Sequence, residues 1–197
     1  MQALVDTIRR EATVLPGGLL KVDSFLNHRL DPALTLAMGE HFASRFQEHG
    51  VAAPDLIVTV EASGIAPALA TAIAYQVPMV YARKRRPLTM GAGALETTVP
   101  SRTKGDMATV TLDAEAVGTS RRVLIIDDFL ASGRTIMAVA GLIHKSGSDV
   151  VGVGGVIEKG FEEGRDRLAE LRVPIVALAC VDAMDEQTGL VQVREGD

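Results

Sequence analysis

Residues Val123–Thr135 read VLIIDDFLASGRT, and this stretch decides the fold. Four consecutive apolar residues, Val123 to Ile126, have the length and β-branching of a strand buried on both faces. Two carboxylates, Asp127 and Asp128, stand at its carboxyl end. The small residues Ala131, Ser132 and Gly133 then lead through Arg134 and Thr135 into a stretch with helical spacing that runs to Lys145. In an open α/β sheet ligands bind just beyond the carboxyl ends of strands, and a helix entered through a Ser/Gly loop turns free backbone N–H groups toward an anion. Ala131 to Thr135 are therefore expected to hold a phosphate, with the hydroxyls of Ser132 and Thr135 as further donors. Carboxylates only accept hydrogen bonds, so Asp127 and Asp128 suit ribose hydroxyls rather than the phosphate itself. The plain alternative is an ordinary strand–turn–helix with an acidic turn.

The same rhythm extends on both sides. Short apolar runs at Leu56–Val60, Pro78–Ala82, Val150–Ile157 and Pro174–Val181 alternate with helical stretches over 66–75, 135–145 and 162–171. Repeated strand–helix–strand units of this kind predict an α/β fold, a mostly parallel open sheet flanked by helices. Two helices open the chain. The first covers Gln2 to Arg10; the second starts with Asp31 as N-cap and Pro32 at the first helical position, and ends at Gly50. Leu34, Met38, Phe42 and Phe46 mark its apolar face. Leu19 to His28 is neither periodic nor turn-like, and its conformation stays open at this level.

With 197 residues, 47% of them hydrophobic, the chain suits a single domain over 1–197 with a core that needs neither disulfide nor metal. The net charge of −5 argues against a whole-surface nucleic-acid binder. No apolar run reaches the length of a membrane span or a signal peptide. The lone Cys180 forbids an internal disulfide and fits a reducing cytoplasm. The four histidines, 28, 41, 49 and 144, lack metal-ligand spacing, so no protein metal site is expected.

Glu61-Ala62-Ser63-Gly64 follows the strand Leu56–Val60 and precedes a helix, a second small-residue turn at the carboxyl edge of the sheet. Such turns let backbone amides approach an anion closely; a simple helix-capping turn is the alternative. Arg83-Lys84-Arg85-Arg86 then ends the next strand, and residues 83–107 are rich in Gly, Thr and cations with no sustained period. So long an excursion inside a small domain reads as a functional flap, placed most broadly over 88–116, or as a disordered stretch, and Thr109 to Leu112 then reads as a short strand. Between Tyr81 and Met107 six cations face only Glu96 and Asp106, a net of +4, which leaves −9 for the rest of the chain.

The strand, acidic pair and small-residue loop ending in Thr resemble the phosphoribosyl-pyrophosphate motif of the type I phosphoribosyltransferases. This chain differs in carrying Phe129-Leu130 after the acids and Arg134 where a second Gly is common. How closely the loop backbone wraps a phosphate, and whether the Arg134 charge compensates, are open from sequence. The resemblance extends to Leu20–His28, Glu61–Pro67, Ala82–Lys84, and Val156–Lys159 with Phe161, which together are similar to the bacterial members of the family that act on xanthine. It implies a transfer of the phosphoribosyl group to a purine, as in purine salvage. It also implies Mg²⁺ carried mainly by the substrate pyrophosphate, a flexible flap, an N-terminal base-binding segment and a cytoplasmic homodimer. Residue by residue, it implies Leu20, Asn27, Lys159 and Phe161 at the purine, and Ser63, Gly64, Arg83, Lys84 and Ala131–Thr135 at phosphoribosyl pyrophosphate. Asp127 and Asp128 are implied at the reacting ribose.

Lysine donates and never accepts, so Lys159 favours a 6-oxo over a 6-amino purine. That leaves guanine or hypoxanthine as alternative acceptors. A non-catalytic purine- or phosphoribosyl-pyrophosphate-sensing regulator is the alternative of a different class. It would call for an added DNA-binding module, and about 20 residues before Leu20 are too few for one.

Overall fold

A computed structural model describes residues 1–86, 93–100 and 107–197. At the N-terminus lie α1 (Gln2–Glu11), a small antiparallel hairpin of β1 (Thr13–Leu15) and β2 (Leu19–Lys21), and a tight π-helical turn over Asp23–Asn27. This resolves the segment that sequence leaves open: Leu19 to His28 is half strand and half a one-turn π-helix. Helix α2 (Pro32–Glu48) starts as expected, with the Asp31 side chain accepting from the Leu34 N–H at 3.0 Å. Then follow β3 (Leu56–Val60), α3 (Ile65–Tyr75), β4 (Met79–Ala82), β5 (Ala94–Pro100), β6 (Met107–Asp113) and the single turn α4 (Ala114–Val117). The second half holds β7 (Arg122–Leu130), α5 (Arg134–Lys145), β8 (Asp149–Lys159), α6 (Gly164–Leu168), β9 (Ile175–Met184) and β10 (Val191–Glu195).

Six strands form one sheet in the order β10-β9-β8-β7-β3-β4, all parallel except β10. Alternate residues of β7 feed two cores. Leu124 and Ile126 face α1, α2 and α3, while Val123 and Ile125 face α5 and its neighbours. That double burial is why the run reads as continuously apolar rather than alternating. On the first face the rings of Phe42 and Phe46 lie against bare backbone at Gly154 and Gly152, where a Cβ would come within 2.8 Å of one ring and 2.7 Å of the other.

Three features depart from the sequence reading. Strand β7 continues through the acidic pair to Leu130, because Asp127 and Phe129 keep pairing with Gly155 and Ile157 of β8. The described part of the expected irregular flap is a regular ribbon: β5 and β6 pair over seven residues each, and Val99, Val110 and Leu112 are buried against the core. The Thr- and Val-rich runs 94–100 and 107–113 supply the β-branched side chains for it. The rest of that flap, including Arg102 and Lys104, lies outside the described residues. Finally, β10 adds an antiparallel edge that the βα rhythm does not announce. Among the described residues no helix is long and apolar enough to cross a membrane.

Candidate active site

The chain crosses from one side of the sheet to the other between β3 and β7. β3 leads through α3 to β4 on one side, and β7 leads through α5 to β8 on the other. At such a switch point the loops after adjacent strands diverge and leave a crevice beyond the strand ends. A cavity of ≈220 Å³ lies there. Its walls are Glu61, Ala62 and Ser63 after β3, Lys84 after β4, Asp127–Phe129 on β7, and Ala131, Ser132, Gly133 and Thr135 at the start of α5. Two loops that sequence marks separately as anion sites thus face one space, with the acidic pair between them.

The loop after β7 has the form expected for an anion cradle. Gly133 caps α5 with φ +71°, a left-handed conformation that favours glycine, and the first helical turn leaves N–H groups without intrahelical partners. The loop after β3 contains a cis peptide between Glu61 and Ala62. It sits directly on β7: a Cβ at Gly64 would lie 2.2 Å from Thr59 Oγ1 and 2.7 Å from Asp127 Oδ1. Gly64 is therefore not a cavity wall but the hinge that lets the loop approach the acidic pair.

Asp127 and Asp128 are half-buried and face the cavity rather than bulk water. Burial, and then the neighbouring Asp128 charge, raise the Asp127 carboxyl well above the ordinary carboxylate range. Burial also raises Asp128, and the hydrogen bond from Asp127 opposes that rise.

The basic residues divide. Lys84 lines the cavity, and its backbone N–H donates to Glu61 Oε1 at 2.8 Å. Arg83 does not: its Nε lies 3.4 Å from Glu61 Oε2 and its guanidinium sits 5.4 Å over the Tyr81 ring. Arg134 likewise directs its side chain out of the cavity, toward Glu163 at 3.9 Å. Arg134 is thus not among the residues that line the cavity. Glu61, which spans Arg83 and the Lys84 backbone, is a residue that the motif reading quotes without giving it a task.

Of the four purine candidates, Lys159 and Phe161 lie together at the end of β8, and Lys159 reaches the hairpin that carries Leu20. Lys159, only 4% exposed, ends β8, whose Ile157 and Glu158 pair with Phe129 and Leu130. Its Nζ donates to Gly18 O at 2.7 Å, in the turn between β1 and β2, and lies 3.5 Å from Glu162 Oε1 and 6.0 Å from the Phe161 ring centroid. Phe161 is half exposed, as a stacking platform would be. Asn27 ends the π-turn, and its Oδ1 is buried with no hydrogen-bond partner among the described residues. Leu20 is buried in the core of the hairpin opposite Val14. Cys180 is buried next to Glu158, and its thiol is pushed up to about 11, chiefly by burial, which makes it a poor nucleophile.

No group of three His, Cys, Asp or Glu side chains converges on a metal site among the described residues. The carboxylates of Glu61, Asp127 and Asp128 nevertheless line a cavity with two anion-type loops. Few protein ligands beside phosphate-binding loops fit a magnesium ion held mostly by substrate phosphates and water.

Known proteins share both the fold and the sequence. Adenine phosphoribosyltransferase from Thermoanaerobacter pseudethanolicus superposes with a TM-score of 0.69 at 25% identity, covering 90% of this chain and 98% of that one. The corresponding enzyme from Leishmania donovani gives 0.72 at 19% identity, over 94% and 83%. Xanthine phosphoribosyltransferase from Deinococcus deserti is 52% identical over 191 residues, 97% of each chain. That of Bacillus licheniformis is 45% identical over 184 residues, 93% of each. The family model described as a phosphoribosyl transferase domain matches residues 30–186, so it leaves out α1 and the hairpin that touches Lys159, while the two xanthine phosphoribosyltransferases match over nearly the whole chain. The chain therefore belongs to the xanthine phosphoribosyltransferase family.

Proposed function

We propose that the chain works as one domain that transfers the 5-phosphoribosyl group of phosphoribosyl pyrophosphate to xanthine, releasing pyrophosphate and the nucleotide, in the reducing cytoplasm. The observation that carries this reading is the single cavity onto which two anion-type loops and a carboxylate pair converge, beside a buried lysine at the next strand end.

Each part of the donor has a partner of suitable chemistry. The 5′-phosphate goes to Ala131–Thr135, where hydroxyls and helix N–H groups converge. The pyrophosphate goes to Ser63 and Lys84, with Arg83 available once it leaves Glu61. Bond breaking at the ribose carbon develops positive charge there and negative charge on the leaving pyrophosphate. Asp127 and Asp128 hold the ribose hydroxyls and, when ionised, stabilise the positive charge. Magnesium, when bound, neutralises charge on the leaving group. No general base is required of this chain: its contribution is positioning, charge complementarity and exclusion of water.

On the acceptor side Lys159 donates to the purine 6-oxo group, Phe161 stacks on the ring and Leu20 shapes the pocket. Asn27 brings an acceptor that is already desolvated and awaiting an N–H. We further propose a homodimer, supported by Leu36 on α2 and by Leu69 and Ile73 on the adjacent α3, apolar residues each about half exposed.

The test offers xanthine, guanine, hypoxanthine, adenine and orotate separately with phosphoribosyl pyrophosphate and Mg²⁺, and follows pyrophosphate release. Xanthine is expected to be the best acceptor. Absence of release with every one of these bases would sink the enzyme reading; a preference for guanine would sink only the choice of acceptor. Lys159→Ala is expected to raise the KM for xanthine by about tenfold or more, the worth of one charge-assisted hydrogen bond, with little change in donor binding. Equal losses on both substrates would remove Lys159 from the base site.

A further inference from the structure

Arg167, on α6, lies outside the cavity yet is bonded to its wall. Its Nη1 donates to the Ser132 carbonyl, and its Nη2 donates to Glu163 Oε1 at 2.7 Å, four residues back along the chain. Glu163 also faces Arg134, so one exposed carboxylate orients both arginines that flank the phosphate loop.

The contact matters because of peptide geometry. In a trans peptide the C=O and the following N–H point in opposite directions. The Ser132–Gly133 peptide carries its carbonyl to Arg167, away from the cavity, so the Gly133 N–H is turned the other way, toward the space that Ser132 and Gly133 line. Rotation of that peptide would aim a carbonyl dipole at an anion instead. Glycine at 133, with φ +71°, offers little steric resistance to such a rotation. Backbone packing restrains the loop as well: a Cβ at Gly164 would fall 1.9 Å from Ala131 O, and one at Gly133 would fall 2.9 Å from Gly164 O. Helix α6 is thus pressed onto the loop, and Arg167 is its polar clamp.

We propose that Arg167 is a positioning residue for the phosphate loop, holding the Ser132 carbonyl outward so that the Gly133 N–H meets the 5′-phosphate of the donor. This rests on the reading of Ala131–Thr135 as the site of that phosphate. Pyrophosphate, on the opposite loop, serves as the internal control.

Titration calorimetry with ribose 5-phosphate and, separately, with magnesium pyrophosphate tests the proposal on the full chain, comparing wild type with Arg167→Ala. The variant is expected to bind ribose 5-phosphate about tenfold more weakly, the worth of one charge-assisted hydrogen bond, and pyrophosphate unchanged. Kinetics should show the same split, a raised KM for phosphoribosyl pyrophosphate with the KM for xanthine unmoved. Glu163→Gln, at a surface position, frees Arg167 without removing it, and is expected to shift ribose 5-phosphate binding the same way by about threefold, a fraction of one charge-assisted bond. Unchanged ribose 5-phosphate binding in both variants, or equal weakening of both ligands, would overturn the proposal. Failure of the wild type to bind ribose 5-phosphate would overturn the reading of the loop itself, and the proposal would fall with it.

Discussion

Gly64→Ala is expected to lower turnover by about 100-fold or more while the protein still folds, because an ångström-scale misplacement of a positioning loop has effects of that size. The added methyl has nowhere to go. It would meet Thr59 Oγ1 at 2.2 Å and Asp127 Oδ1 at 2.7 Å, both fixed on central strands of the sheet. Strands β3 and β7 are pinned by parallel pairing on both sides, so the loop is what yields. Lifting it moves Glu61–Ser63 away from the acidic pair and widens the gap that the pyrophosphate and the ribose must bridge. The readouts are kcat/KM for phosphoribosyl pyrophosphate and pyrophosphate binding, with circular dichroism as a check of the fold. Wild-type activity in a folded Gly64→Ala protein would show that the close approach is not needed.

Asp127→Asn is expected to cost about 10²–10³ in kcat, comparable to removing one preorganised group that stabilises transition-state charge, and at the same time to stabilise the unliganded protein at neutral pH. Burial and the Asp128 charge raise the folded-state carboxyl well above its unfolded value. A carboxyl so shifted binds its proton more tightly in the folded state. Its penalty is absent at pH values below the unfolded pKa and grows as pH rises from there toward the raised folded pKa. Asparagine carries no such penalty. The difference in Tm between Asp127→Asn and wild type should therefore be small near pH 4 and widen toward pH 8 in favour of the variant. A difference independent of pH would contradict the assigned cause. Activity and stability thus pull the same side chain in opposite directions, as expected where a site is preorganised for a charge that arrives with the substrate.

How far the sequence reveals the site depends on whether the information is local. Asp127, Asp128 and Ala131–Thr135 are legible because strand, acids and loop are consecutive, and a parallel strand must deliver its carboxyl end to the ligand edge. Glu61–Gly64 is legible for the same reason. The division of labour between Arg83 and Lys84 is not, since it depends on a carboxylate 23 residues away that takes the Lys84 N–H and leaves Lys84 on the cavity wall. Arg167 is invisible for the same reason, 35 residues from the carbonyl it holds. Of the ribbon, Thr109 to Leu112 is legible as a short strand, while its partner β5 is hidden by Gly- and cation-rich flanks, and β10 by its short span of five residues against a rhythm set by helices. The π-turn at Asp23–Asn27 has no periodic signature, yet it is what buries the Asn27 amide oxygen.

The hydrogen bond from Lys159 to Gly18 O gives the base site an exchange character. If Lys159 reads the purine, an incoming oxo group either replaces that carbonyl or takes another of the three N–H donors of a nearly buried ammonium. An oxo group swaps one acceptor for another at little net change. An amino group offers no acceptor, and forcing it into the carbonyl's place would cost about 1–3 kcal/mol or more for a buried charged donor left unsatisfied. On that reading the hairpin turn is a competitor that the chain itself supplies, one that an oxo purine can replace and an amino purine cannot.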